Sequence, residues 1–204
     1  MMDEKKLARA QEILDIESRA VKNIPLNENV FQAVDIIKNC RGKVVVSGMG
    51  KAGIVGKKIA ATLASTGTPS MFLHPGEAQH GDLGALREGD VLFVLSNSGK
   101  TREAIELVAL SRQLIAQDLF IIVMTSNTES DLAQLADLTL SIGNAPEACS
   151  IGMAPTTSTT CMMALGDVVG MLVMEERHFT KEDFAKRHHG GYLGFTLKLG
   201  LNKQ

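Results

Sequence analysis

The segment Ser96-Asn97-Ser98-Gly99-Lys100-Thr101 has the composition of an anion cradle. It follows the apolar run Val91–Leu95 and opens a helical pattern, so its backbone N–H groups point at whatever binds there and the helix dipole favours negative charge. Ser96, Ser98 and Thr101 add hydroxyl donors, Asn97 adds an amide, and Gly99 lets the backbone come close. The Gly-Lys-Thr string invites comparison with a nucleotide P-loop. That motif needs a glycine where Val94 stands, which disfavours a triphosphate. An ordinary polar helix cap would use the same residue types.

Gly48-Met49-Gly50-Lys51-Ala52-Gly53 also lies between a strand and a helix and matches the dinucleotide pattern G-x-G-x-x-G. That fold wants an acid at the end of the next strand to hold the ribose, and Met71–His74 contains none. A tight turn accounts for the glycines but not for Lys51. His74-Pro75-Gly76-Glu77-Ala78-Gln79-His80-Gly81-Asp82 carries two histidines, the usual proton handlers near neutral pH, at a spacing that fits no zinc helix motif. Glu103 falls in the first turn after the Ser96–Thr101 loop, where a carboxylate stays ionised and can serve either as a base or as a helix-end charge. Glu147 precedes a crowd of hydroxyls, Thr156, Thr157, Ser158, Thr159 and Thr160, which can cap a helix or bind a ligand. His188-His189-Gly190-Gly191 is a polar, glycine-flexible segment near the end of the sequence; an unstructured tail would read the same.

The elements that must position these groups follow from periodicity. Residues 3–22 and 28–39 show amphipathic helix patterns, the first with Leu7, Ile13, Leu14, Ile16 and Val21 as its apolar set. Lys43–Ser47, Pro69–His74, Val91–Leu95, Leu119–Met124 and Leu138–Ile142 read as short strands. Helices are predicted over 51–66, with Ile54, Val55, Ile59 and Leu63 on one side, and over 103–116, 130–136 and 156–176. Strands alternating with helices predict an α/β fold: a doubly wound, parallel five-stranded sheet in a three-layer αβα sandwich, organised as one domain over 1–204. N-terminal helices (3–39), a core (43–176) and a C-terminal tail (177–204) make it up. Ligands of such sheets bind beyond the carboxyl ends of the strands, where Ser47–Lys51, His74–Asp82, Ser96–Thr101 and Thr125–Thr128 fall.

Composition narrows the function classes. The net charge of -2 offers no field for nucleic acid or an anionic membrane, and one tyrosine with no tryptophan makes no base-stacking platform. The first twenty residues mix acid and base without an apolar core, so no signal peptide is expected. Strand-like runs such as Val91–Leu95 are far too short to span a bilayer. Three widely spaced cysteines, Cys40, Cys149 and Cys161, suit a reducing, cytoplasmic compartment rather than a disulfide framework.

On GMGKAG (Gly48–Gly53), ASTGTP (Ala64–Pro69), HPGEAQHGDLG (His74–Gly84), SNSG (Ser96–Gly99), EAC (Glu147–Cys149) and APTTSTT (Ala154–Thr160), the sequence resembles the sugar isomerase (SIS) domain family, and within it the arabinose-5-phosphate isomerases. The resemblance runs from about Lys43 to Gly194. It implies a flavodoxin-like sheet order, interconversion of D-ribulose 5-phosphate and D-arabinose 5-phosphate for Kdo and lipopolysaccharide synthesis, and a homotetramer. The family's catalytic positions match Lys51, Glu103, Glu147 and His188. Its substrate positions match Gly67, Thr68, His74 and His80, and His74 can hold an inhibitory zinc. Long members add paired CBS regulatory modules, which this sequence is expected to lack. The family's His-Pro-Gly-Gly reads His188-His189-Gly190-Gly191 here, and its glutamate after SNSG is Lys100.

An aldose–ketose isomerase needs a phosphate anchor, a base, an acid and a cation for the developing oxyanion. The expected anchor is Ser47, Ser96, Ser98 and Thr101; the base is Glu103 or His188, His80 is the donor, and Lys51 polarises the oxygens. No redox cofactor is required. The runner-up is a non-catalytic sugar-phosphate sensor on the same fold. The helix at 156–176, apolar nearly all round, must be either central or covered by a partner.

Overall fold

The computed structural model describes residues 3–188; His189, Gly190, Gly191 and the rest of the expected tail lie outside the described residues. Five parallel strands form one sheet in the order β2-β1-β3-β4-β5. They are β1 (Val44–Gly48), β2 (Ser70–Leu73), β3 (Val91–Leu95), β4 (Phe120–Thr125) and β5 (Leu138–Ser141). β1 and β3 are buried along their whole length, as their unbroken apolar runs require.

Because successive side chains point to opposite faces, each strand feeds two cores. Val44, Val46, Phe93, Leu95, Ile122 and Met124 pack on one face. That face is covered by α1 (Glu4–Lys22), α2 (Glu28–Lys38), α3 (Gly50–Ser65) and α7 (Thr157–Glu176). Val45, Leu92, Val94, Ile121 and Val123 pack on the other face, against Ala104, Leu107 and Val108 of α5 (Arg102–Leu114) and Leu132 of α6 (Asp131–Gln134). The expected three-layer αβα sandwich with flavodoxin-like strand order is therefore present. At the amino-terminal edge of the sheet, the buried Asp90 carboxylate accepts from Lys43 N, Lys43 Nζ and Arg87 N at 2.9, 2.7 and 2.9 Å, tying β1 to β3.

The structure adds elements that periodicity did not reveal: a one-turn helix α4 (Pro75–Ala78) and a 3₁₀ turn (Asp82–Ala85) inside the His74–Gly84 segment. His74 caps α4 by accepting Gly76 N on Nδ1 at 3.2 Å, with Pro75 at the first helical position. The short α8 (Lys181–Ala185) is closed by a Thr180/Asp183 capping box.

Two expectations about helix faces need correction. Leu7 and Leu14 are 50% and 61% exposed, and Ile54 is 66% exposed, so these residues are not part of the cores. Conversely, α7 is a central helix. Its Cys161, Met162, Leu165, Val169 and Val173 are buried, and α1, α2 and α3 all pack on it. It is long and apolar enough to cross a membrane by composition, and half of its most apolar stretch is buried inside the protein, while Met163 stays 38% exposed. Its central position explains the buried half without a partner chain.

Candidate active site

The strand order reverses between β1 and β3, since the chain leaves β1 for β2 on one side and places β3 on the other. The crevice beyond their carboxyl ends is where such folds bind ligands. The Met49–Ala52 turn and the Ser96–Thr101 loop form its two sides. Pro155, Ser158, Thr159 and Met162 of the α7 start form a third wall around a cleft of about 220 Å³. Two larger grooves, about 430 and 550 Å³, lie between α1 and the segment after β5, and among α1, α3 and α7. Donors for an anion converge in the smaller cleft, and a short phosphorylated sugar needs donors more than volume. The 550 Å³ groove meets the cleft at Lys51, which borders both.

Three helices, α3, α5 and α7, open on this cleft, and none has a hydrogen-bonded side-chain cap. The other five described helices are all capped, by Asp3, Asn27, His74, Ser130 and Thr180. At α5 the would-be cap, Thr101, instead pairs its hydroxyl with Ser96 Oγ at 2.9 Å. The free N–H groups and aligned dipoles of α3 and α5 thus face the cleft from two sides.

The phosphate-type loop is held in shape from behind. Ser96 Oγ accepts from Gly99 N at 3.2 Å, and Ser98 Oγ accepts from Lys100 N at 3.2 Å. The Asn97 carbonyl receives Thr125 Oγ1, Ser126 Oγ and Ser126 N at 2.9, 2.8 and 3.1 Å, and the Gly99 carbonyl receives Leu132 N at 3.2 Å. Gly99 has φ +64°, and a Cβ there would overlap Ser130, so the close approach of the loop to α6 requires glycine. Lys51 is exposed at the start of α3 and forms no ion pair among the described residues. Glu103 stands half-buried in the first turn of α5.

Several expected site residues are placed elsewhere. Ser47 is fully buried and donates its hydroxyl to Leu73 O at 2.6 Å, so it joins β1 to β2 and does not face the cleft. Gly67 and Thr68 follow the far end of α3, about 24 Å from Lys51 for a 16-residue helix. His188 belongs to that far end as well. Its ring stacks on Phe184 of α8, and Phe179, which precedes α8, packs against Gly67. Arg177 fixes this end by donating to the carbonyls of Gly67, Ile37 and Lys38. His74 and His80 sit beyond β2, beside the cleft rather than in its lining, with His80 exposed. Since His74 Nδ1 is occupied by Gly76 N, a metal would find only Nε2 there. No group of three or more His, Cys, Asp or Glu converges among the described residues, so they do not complete a zinc site.

Glu147 does not line the cleft. Its carboxylate accepts from Thr156 N (2.8 Å), Thr156 Oγ1 (3.1 Å), Ser158 N (3.2 Å) and the Ser158 hydroxyl. Partial burial pushes this carboxyl up, but the bonds from Ser158 and Thr156 outweigh it and hold Glu147 below the usual carboxylate range. Nearby, Cys149 Sγ accepts from Met153 N and Ala154 N, both at 3.1 Å. Desolvation raises this thiol, while the N–H groups of Ala154, Met153, Ile151 and Gly152 lower it further, so the net shift is downward. The clamp by Thr125 and Ser126 and the wall residues Pro155 and Met162 were not singled out as site residues from sequence, whereas Thr159 was named among the hydroxyls at the start of α7. The polar stretch after β4 was the one signal for the clamp.

The SIS domain pattern matches residues 36–172. An arabinose 5-phosphate isomerase KdsD of Yersinia pestis is 44% identical over 194 residues, and that of Pseudomonas aeruginosa is 46% identical over 192. These alignments cover 94% and 93% of this chain, which spans 58% of the length of each of these two relatives. A Bacteroides fragilis protein, described as a candidate phosphosugar isomerase involved in capsule formation, is 50% identical with a TM-score of 0.88, covering 92% of this chain and 99% of its own. An Escherichia coli CFT073 protein in complex with arabinose 5-phosphate is 36% identical with a TM-score of 0.84, covering 92% of this chain and all of its own. With the strand order, the uncapped helix starts and the family pattern in agreement, this chain belongs to the SIS domain family.

Proposed function

We propose that this chain is an aldose–ketose isomerase that interconverts D-ribulose 5-phosphate and D-arabinose 5-phosphate, a product used for Kdo in Gram-negative envelopes. The observation that carries the proposal is the cleft at the β1/β3 switch point, where the Ser96–Thr101 loop and Lys51, which has no ion-pair partner among the described residues, face each other across two uncapped helix starts. The relatives' names and the sugar-phosphate complex of the E. coli CFT073 protein support the choice of sugar. The phosphate sits on the N–H groups and hydroxyls of Ser96–Thr101. A base removes the C1 proton of the ketose and returns a proton at C2 of the enediolate, while the hydroxyl proton moves between O1 and O2. Lys51 stabilises the negative charge on those oxygens. Isomerisation is internally balanced in electrons, so no redox cofactor enters.

Glu103, in the first turn of α5 just after the Ser96–Thr101 loop though outside the cleft lining, is the base assigned within the same chain. His188 with Gly67 and Thr68 is at the opposite end of α3 and reaches a cleft only from another subunit. A cytoplasmic homo-oligomer, a tetramer by likeness to the family, is therefore part of the proposal. The test is proton NMR of the purified protein with ribulose 5-phosphate and no added NAD or metal. Anomeric signals of arabinose 5-phosphate are expected within minutes to hours. Binding without new signals would replace the isomerase by a sugar-phosphate sensor. Lys51→Ala and His188→Ala variants refolded together as mixed oligomers should regain part of the lost activity. A dead mixture with mixed oligomers confirmed by mass refutes sharing between subunits.

A further inference from the structure

Glu147 occupies a position that the family resemblance assigns to catalysis, yet its surroundings are those of a structural anion. A carboxylate has about four lone-pair sites. Here three donors, Thr156 N, Thr156 Oγ1 and Ser158 N, crowd Oε2, and the Ser158 hydroxyl takes Oε1. All four bonds turn the carboxylate to the start of α7 and away from the cleft lining, and an ionised carboxylate has no proton to give. Lys51, by contrast, borders the cleft, and the Glu103 carboxylate, though also outside the lining, accepts no hydrogen bond from another described residue.

The second observation is the inequality of the three helix starts. All three lack side-chain caps of their own, but α7 alone among them has its first N–H groups bonded to a carboxylate, because Glu147 reaches Thr156 N and Ser158 N from nine and eleven residues upstream, whereas Glu103 in the first turn of α5 makes no such bond. A substrate phosphate offered three similar helix starts could settle on any of them. With α7 filled, α3 and α5 are left. The same bonds fix Ser158 in the cleft wall, next to Thr159 and Met162.

We infer that Glu147 is a positioning residue, the internal counter-anion of α7, which holds the third wall of the cleft and directs the substrate phosphate to the α5 start. Its influence on turnover passes through Ser158 and its neighbours and not through proton transfer. The kinetic part rests on the isomerase reading above; the structural part does not.

The experiment has two arms. Without substrate, amide hydrogen exchange of Thr156 and Ser158 is followed by NMR in the wild type and in Glu147→Ala, with and without added formate. Exchange at both amides should speed up at least about tenfold in the variant, and formate, a carboxylate small enough to refill the gap, should slow it again. With ribulose 5-phosphate, Glu147→Ala should lose roughly 10²-fold in kcat, as displaced walls do, while keeping both limbs of its pH–kcat profile and recovering with formate. Loss of one limb in Glu147→Gln would make Glu147 a proton-transfer group and overturn the inference. Unchanged exchange at Thr156 and Ser158 would overturn it too, whatever the kinetics. If the alanine variant does not fold, the isosteric Glu147→Gln, which keeps one accepting oxygen, carries both measurements, with faster exchange expected at one amide or both. A wild type inactive on ribulose 5-phosphate would count against the isomerase reading alone, and the exchange arm would then decide the role of Glu147.

Discussion

Replacing Gly99 by alanine perturbs the phosphate-type loop through one atom, and the structure sets the size of the effect. Gly99 has φ +64°, where a Cβ costs about 1–2 kcal/mol. The new Cβ would also overlap Oγ and Cβ of Ser130, so one of the two must move. Ser130 caps α6 by accepting Ala133 N at 3.3 Å, and losing such a cap costs about 1 kcal/mol. Together these give about 2–3 kcal/mol, less than the ~5–15 kcal/mol that a domain has, so the variant should fold with Tm lowered by about 5–10 °C. Gly152→Ala is the control, since Gly152 has φ +65° with nothing within 4 Å of a Cβ and suffers the strain alone. The displaced loop should also raise KM for the phosphorylated sugar about tenfold, the loss of roughly one charge-assisted hydrogen bond. Thermal unfolding by circular dichroism and initial-rate kinetics read the two effects. If Gly99→Ala matches Gly152→Ala in Tm and leaves KM unmoved, the tight seating of this loop on α6 does not matter for phosphate binding and the reasoning fails.

Ser98→Ala should raise KM with kcat preserved, because it removes an anchor used in ground and transition states alike. Ser47→Ala should do the opposite, lowering Tm through loss of its bond to Leu73 O while KM stays put; a KM effect from Ser47 would contradict its burial. Lys51→Ala should lower kcat by ~10²–10³ with Tm near wild type, since Lys51 is exposed; unchanged kinetics would make it a solvated helix residue. Cys149 should react with iodoacetamide before Cys40 and Cys161, whose thiols burial pushes up. Because the Cys149 thiol is depressed, its thiolate is present at lower pH, and the alkylation rate should rise through a midpoint below the usual thiol value; a midpoint at or above that value counts against the backbone N–H cradle.

Local spacing decided much of this protein. The runs at Val44–Val46, Val91–Leu95 and Ile121–Met124 have only one stable placement, in a parallel sheet buried on both faces, and the glycine- and hydroxyl-rich turns after β1 and β3 then fall at one end of it. That is why the cradle at Ser96–Thr101 and the lysine at position 51 were legible before any coordinates. Whether a polar group is available for a ligand was not legible, because that depends on a partner distant in the chain. Ser47 and Ser96 look alike in sequence; Leu73 O claims one hydroxyl, while Ser96 pairs with Thr101 at the cleft. Glu103 and Glu147 are both acids near helix starts, and Thr156 and Ser158 tie down only the second. Exposure was equally non-local. Leu7, Leu14 and Ile54 sit on helical spacings that suit a core, yet the packing of α1 and α3 on α7 turns them outward. The same packing places Gly67, Thr68 and His188 at the far end of α3 from Lys51, because a helix is rigid and fixes the separation of its ends, which sequence proximity to a motif does not report.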